Sequence, residues 1–189
     1  MNPGRMGGLR GAIRAEVASV VPHDRFEAEQ KASVLNWIDS GAELARRRPP
    51  ATPPRHLVSY CVLTDGERVV LVDHLKSGLW LPPGGHVDAG EHPRDCAHRE
   101  AAEELGFHGS LRFESALFLS ESVTVGSTAG HRDVALWYVF DAPLDTTLSW
   151  DGSEFRRATW FDLARAPVAK SDPQLGRFID KLRTRLVMS

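Results

Sequence analysis

Cysteine is scarce in this chain: Cys61 and Cys96 are the only two in 189 residues, and neither belongs to a CxxC pair or a Cys/His cluster. A disulfide framework is excluded, and no zinc motif is signalled. Both thiols fall in segments that read as ordered and partly apolar, so the expectation is two buried thiols in a reducing cytosol. An excess of one charge is also missing. Lys and Arg number 23 against 25 Asp and Glu, for a net charge of −2 and a pI near 6.4. No whole-molecule field then draws nucleic acid or an anionic membrane, and an anionic substrate has to be met locally by a metal ion or a few basic side chains. No apolar run approaches transmembrane length. Arg14 and Glu16 interrupt the apolar stretch near the N-terminus before it could serve as a signal peptide. No internal repeat is visible. Cytoplasmic, with no membrane partner, is the expected setting.

What the chain does have is an ordinary globular mix, 42% hydrophobic and 25% charged, in a length that suits one domain plus an appendage. Residues 1–55 read as an N-terminal helical extension ending in a Pro-rich connector. Gly4, Gly7, Gly8 and Gly11 loosen its start, and Ile13–Val21 forms a short helix. Asp24 is an N-cap for a second helix, on which Phe26, Ala28, Ala32, Leu35, Ile38 and Ala42 recur at roughly helical spacing. Arg46, Arg47 and Arg48 read as a solvated charge run before Pro49, Pro50, Pro53 and Pro54, an extended connector. Leu35, Trp37 and Ile38 call for burial, either in a cap over a cleft or in a dimer surface.

Residues 56–189 form the main domain. His56–Thr64 and Arg68–Asp73 are rich in β-formers and are joined by the hairpin signal Asp65-Gly66. Leu79–Leu81 precedes Pro82-Pro83-Gly84-Gly85. A helix is predicted over Pro93–Leu105, with Pro93 at its first position, Asp95 in its first turn and Gly106 just past its end. Further strands are expected at Arg112–Leu119, Asp133–Phe140 and Ala158–Phe161. A terminal amphipathic helix opens at Asp172-Pro173 and carries Leu175, Phe178, Ile179, Leu182 and Leu186. Strands, one central helix, more strands and a closing helix imply a mixed sheet covered by helices.

The segment from Gly85 to Phe107, GHVDAGEHPRDCAHREAAEELGF, carries the chemistry. Glu100, Glu103 and Glu104 stand at i, i+3 and i+4, so a helix brings all three carboxylates to one face. Carboxylates so placed repel, and a cation compensates them. Hard oxygen donors without His or Cys favour Mg²⁺, or Mn²⁺, over zinc or copper. A solvated acidic helix face is the commoner explanation of a bare E-x-x-E-E, since charged residues are mostly exposed. The wider pattern decides against it: Gly85, Glu91, Arg99-Glu100, Glu103-Glu104 and Gly106 coincide by chance with a probability on the order of 10⁻⁸ at average residue usage.

This pattern resembles the box of the Nudix hydrolases, and His131–Phe140 and Glu154–Leu163 look like the strand pair that follows it in MutT-type members. The resemblance covers about Leu57 to Leu186 and implies an α/β/α sandwich with a mixed sheet, the box forming a loop–helix–loop. It implies a Mg²⁺-dependent hydrolase that cuts a phosphoanhydride in a nucleoside-diphosphate-linked substrate by water attack at phosphorus. On this likeness Glu103 and Glu104 match the principal metal ligands, Glu100 a further ligand or base, and the Gly84 or Gly85 carbonyl an additional contact. Glu91 and Arg99 match a structural ion pair, and Glu154 an extra acidic residue near the metal. The alternative is a non-catalytic Nudix-like sensor of a nucleotide or nucleotide sugar, which the intact box and the lack of a basic recognition helix disfavour.

Substrate choice is less legible. Candidate contacts are Trp80, His86, Arg132 and Asp172, with Lys76 another basic group near phosphate. His86 and His131 also read as polar surface residues, Asp172 as a helix cap, and Trp137 and Trp160 as core. The modest charge argues against an RNA substrate, which needs a basic track.

Overall fold

The computed structural model describes residues 3–47, 53–123 and 130–188. Arg48, Pro49 and Pro50 of the Arg/Pro run lie outside them. Four helices, α1 (Pro3–Ser19), α2 (Arg25–Asp39), α3 (Pro93–Leu105) and α4 (Leu175–Met188), flank one mixed sheet. Its strands are β1 (Arg55–Thr64), β2 (Arg68–His74), β3 (Trp80–Leu81), β4 (Gly84–His86), β5 (Phe118–Val123), β6 (Arg132–Asp141) and β7 (Phe155–Asp162). The order is β3-β2-β1-β6-β5, with β4 added to β1 and β7 to β2. β1 and β6 run parallel at the centre, and the other described pairs are antiparallel.

Strand alternation divides the apolar side chains between two cores. Leu57, Cys61 and Leu63 of β1, Val70 and Val72 of β2, and Leu136 and Phe140 of β6 pack with residues of α1, α2 and α3. Val58 and Val62, Val69 and Leu71, and Trp137 and Val139 from the same strands pack under Leu175, Phe178, Ile179 and Leu182 of α4. Both faces of the sheet are covered, which is why β1, β2 and β6 read as nearly continuous apolar runs. The α/β/α sandwich is therefore the observed architecture.

The N-terminal segment contributes to the first core through Ile13, Val17, Val20, Val34 and Ile38. Asp24 caps α2 as expected, its carboxylate accepting from the Glu27 N–H at 2.9 Å. α2 lies along the edge strand β5, covering hydrogen-bonding groups that would otherwise invite another strand. At its start Glu27, fully buried, meets Lys181 of α4 at 2.7 Å and accepts from the Leu119 N–H at 3.0 Å. One ion pair thus ties α2, β5 and α4 together.

Several boundaries differ from the sequence expectation. α1 begins at Pro3, well before Ile13, because Ile13 and Val17 are buried on the sheet and tertiary packing outweighs the helix cost of glycine. On α2 the buried stripe is Val34 and Ile38, whereas Phe26 is exposed under the Arg177 guanidinium and Ala42 lies past the helix end. The strand expected over Arg112–Leu119 lies further along, at Phe118–Val123. Before it the Ala116 N–H donates to buried Glu16 instead of joining the ladder. β7 is longer than Ala158–Phe161, since pairing with β2 extends it to Phe155–Asp162.

Candidate functional site

The box helix owes its position to its ends. Pro93 occupies the first turn, the His92 ring accepts from the Arg94 N–H at 3.2 Å, and Gly106 takes the left-handed conformation (φ 63°) that stops the helix. Cys96, Ala97, Ala101 and Leu105 bury one face in the first core. The adjacent face presents Glu100 and Glu104, one turn apart and both nearly buried, with Glu103 at the rim and 61% of its side chain exposed.

The two glycines ahead of the helix let the backbone approach these carboxylates. The Gly84 N–H donates to Glu104 Oε2 at 2.7 Å. Gly84 has φ 148°, and a Cβ there would lie 2.1 Å from the Ser59 carbonyl oxygen of β1. A Cβ on Gly85 would fall 2.3 Å from Glu100 Oε1. A side chain at Gly85 would close the space Glu100 uses, and one at Gly84 would push against the backbone of β1.

Arg99 is the cation of this wall. It donates to Glu91 at 2.9 and 3.0 Å, to Glu100 at 2.7 Å and to Glu103 at 3.1 Å, and its other contacts reach the His86 carbonyl and the Cys96 sulfur. Burial pushes Glu91 up, but the Arg99 guanidinium and the Asp88 N–H together hold it below its ordinary value. Glu100 is raised by burial in spite of Arg99. Glu104 is pushed up to about 8, first by burial and then by the charge on Glu100, with Glu154 and Glu103 adding to it. The donors here are all carboxylate oxygens, crowded enough to favour a proton or a cation among them. That set fits a hard divalent ion.

A cleft of about 510 Å³ joins this wall to the rest of the site. Glu100, Glu104, Gly84 and Gly85 line one side. Glu154, beside the start of β7, faces them, and His74 and Lys76 follow from the end of β2. The remaining wall carries Tyr60, His86, His131, Asp133 and Arg46.

The family model of the NUDIX domain matches residues 54–182, more than half of the chain. The chain is a Nudix hydrolase. It is 39% identical over 129 residues to the uncharacterized Nudix hydrolase YvcI of Bacillus subtilis, a match covering 66% of this chain and 78% of that protein. A putative 8-oxo-dGTP diphosphatase of the same organism is 26% identical over 113 residues, covering 57% of this chain and 66% of that one. Among solved structures, a MutT Nudix hydrolase from Burkholderia pseudomallei superposes with a TM-score of 0.57 at 21% identity, over 67% of this chain and 97% of its own. A C. elegans Ap4A hydrolase gives 0.59 at 18% identity, over 70% and 98%. These two likenesses speak to the fold. Nudix enzymes in general use a divalent metal to hydrolyse pyrophosphate bonds of small nucleotide-linked substrates. Among the described residues of this Nudix hydrolase no helix is long and apolar enough to cross a membrane.

Of the residues singled out in the sequence, Glu100, Glu104, Glu154, Gly84, Gly85 and His86 meet in the cleft, and Lys76 joins them. Glu91 and Arg99 make the expected ion pair. Glu103 stays at the rim, mostly exposed and outside the cleft lining. Three further candidates fall elsewhere. Trp80 packs edge-on against Phe161 at 4.9 Å beneath the Arg157 guanidinium. Arg132 points away from its neighbours His131 and Asp133, as strand alternation requires, and its exposed side chain meets Glu121 at 3.4 Å. Asp172 is buried and caps the turn into α4, accepting from the Gln174 N–H at 2.7 Å and the Tyr60 hydroxyl at 3.4 Å.

Sequence reasoning missed His56, Asp133 and Arg46. His131 is 2% exposed, not a surface residue, and Arg46 reaches the His86 ring instead of joining a solvated run. The available signal was the i, i+2 spacing of His131 and Asp133, which places both on one side of a strand.

Proposed function

We propose that this Nudix hydrolase is a Mg²⁺-dependent pyrophosphohydrolase, cutting a nucleoside-diphosphate-linked substrate by attack of water at phosphorus. The observation that carries the reading is the convergence of Glu100, Glu104 and Glu154 on one cleft, with the Glu104 carboxyl forced up to about 8 by burial and its neighbours. Glu100, Glu103 and Glu104 would hold the ion, Mg²⁺ or Mn²⁺, with the Gly84 or Gly85 carbonyl. A divalent ion held there supplies Lewis acidity, offsetting charge on phosphate oxygens and acidifying water.

The protein's own groups do the rest. Arg99, locked to Glu91, sets the Glu100 carboxylate through its 2.7 Å contact. Glu154 has no guanidinium partner among the described residues, so it is the carboxylate assigned to take the proton from the attacking water. Lys76 lies in the same cleft to meet substrate phosphate. Two free, buried thiols suit a cytoplasmic enzyme.

The test is a panel of nucleoside triphosphates, oxidised purine nucleotides, ADP-ribose, dinucleoside polyphosphates and sugar nucleotides, assayed with and without Mg²⁺. A nucleoside monophosphate or pyrophosphate product that requires the metal is expected from at least one class. Glu154→Gln should lower kcat by about 10²–10⁴ and remove the acidic limb of the pH–rate profile. If that limb persists in Glu154→Gln and vanishes in Glu100→Gln, Glu100 is the base instead. A panel without turnover sinks the catalytic reading.

A further inference from the structure

His56, His86, His131 and Asp133 come from β1, β4 and the start of β6, and each offers one donor atom to a common point. The four atoms lie within 4.8 Å of one another. Asp133 Oδ1 is their hub, 3.1 Å from His56 Nε2, 3.3 Å from His131 Nε2 and 4.0 Å from His86 Nε2. The register of the sheet enforces this, since His56 is the ladder partner of Asp133 and Val58 that of His86.

The protonation pattern is what singles out this cluster. His56 is fully buried, and its Nδ1 lies 2.9 Å from the Pro53 carbonyl oxygen. A carbonyl can only accept, so Nδ1 carries a proton, and a ring with that single proton presents a lone pair at Nε2. Nε2 faces the Asp133 carboxylate, and among the described residues neither His56 Nε2 nor Asp133 Oδ1 has a hydrogen-bond partner. Two buried acceptors in contact are costly unless something positive sits beside both. A ring N–H fixed by a backbone carbonyl, with the opposite nitrogen aimed at a carboxylate, is also how metal-ligating histidines are commonly oriented.

We propose that His56, His86, His131 and Asp133 bind one transition-metal ion of the Zn²⁺ class, at a site separate from the glutamates of the box. Three imidazole nitrogens and one carboxylate suit Zn²⁺ or Co²⁺, and disfavour Mg²⁺, which takes oxygen ligands. Zinc–ligand bonds of about 2.0–2.1 Å put tetrahedral donors about 3.3–3.4 Å apart. Two of the three contacts to Asp133 are already near that spacing. His86 stands furthest out, and the Arg46 guanidinium lies 3.0 and 3.1 Å from its two ring nitrogens. Arg46 and the ion therefore compete for His86. Four protein ligands close the coordination shell, so the ion acts as a tie between β1, β4 and β6, fixing the strand that carries Gly84 and Gly85.

The experiment is metal analysis of the purified full chain, followed by chelation and titration with Zn²⁺ and Co²⁺ in the presence of excess Mg²⁺. One equivalent per chain is expected, with the visible absorption of tetrahedral Co²⁺ and a raised Tm. Glu104→Gln should keep that equivalent. His86→Gln, at a partly exposed position and checked for folding by circular dichroism, should weaken Zn²⁺ at least about tenfold. A folded wild type that binds no Zn²⁺ or Co²⁺ overturns the proposal. So does metal lost in Glu104→Gln but unchanged in His86→Gln. Nitrogen NMR of the metal-free chain gives an independent reading: His56 protonated on Nδ1 alone supports the site, and a doubly protonated His56 overturns it in favour of an imidazolium–carboxylate pair.

Discussion

The cleft has two walls built on opposite plans. The acidic wall comes from one stretch of 23 residues, Gly85 to Phe107, and its carboxylates are neighbours because a helix makes them so. The imidazole wall presents His86, His131 and Asp133 to the cleft with buried His56 behind them, His56 and Asp133 being 77 residues apart in sequence yet paired in the parallel ladder. In the first, like charges crowd and Arg99 partly offsets them. In the second, one carboxylate is surrounded by rings whose charge is optional. Burial therefore acts in opposite senses: it drives Glu104 up to about 8 and His86 down to about 4, toward the neutral form in each case.

Glu104→Gln is the largest expected break in that contrast. It should lower kcat by about 10³-fold while the fold, read by circular dichroism and Tm, is retained. Rates equal to wild type would remove the acidic wall from the chemistry. Gly85→Ala comes next. Its Cβ meets first the movable end of Glu100, so stability should change by less than about 1 kcal/mol, while displacement of the carboxylate lowers kcat by about 10–10²-fold. Gly84→Ala, one residue earlier, should do the reverse in chemical denaturation. Its Cβ meets the backbone of β1 at positive φ, and a loss of about 1–3 kcal/mol is expected.

The smallest effect is a pH dependence. Without metal, the folded chain keeps a proton on Glu104 up to about 8, whereas an ordinary glutamate releases it near 4.5. The stability this proton contributes is complete below about 4.5 and is lost as pH rises through about 8. Melts in chelator should show the Tm of wild type falling relative to Glu104→Gln across that window, and added Mg²⁺ should reduce the difference. Parallel curves would mean that Glu104 ionises normally.

The acidic wall was legible in the sequence because helical spacing is local: i, i+3 and i+4 converge whatever the rest of the chain does. Asp24, Pro93 and Gly106 were legible for the same reason, each satisfying groups within a turn of itself. The early start of α1, the exposure of Phe26 and the late start of β5 were not. Each depends on which partner the segment finds: the sheet for Ile13 and Val17, Arg177 for Phe26, Glu16 for the Ala116 N–H. The placement of Trp80 and Arg132 was hidden likewise, because strand position, not residue type, decided which way they face; Asp172 was legible as a cap, since it satisfies the Gln174 N–H two residues on.

By itself the sequence determined the family, the box helix and the carboxylates it presents, since a helix converts spacing into proximity without help. Only the tertiary structure decided that Arg46 would turn inward and that three histidines would gather on Asp133. Those meetings depend on strand order and register, which bring distant residues into contact only after both cores have packed.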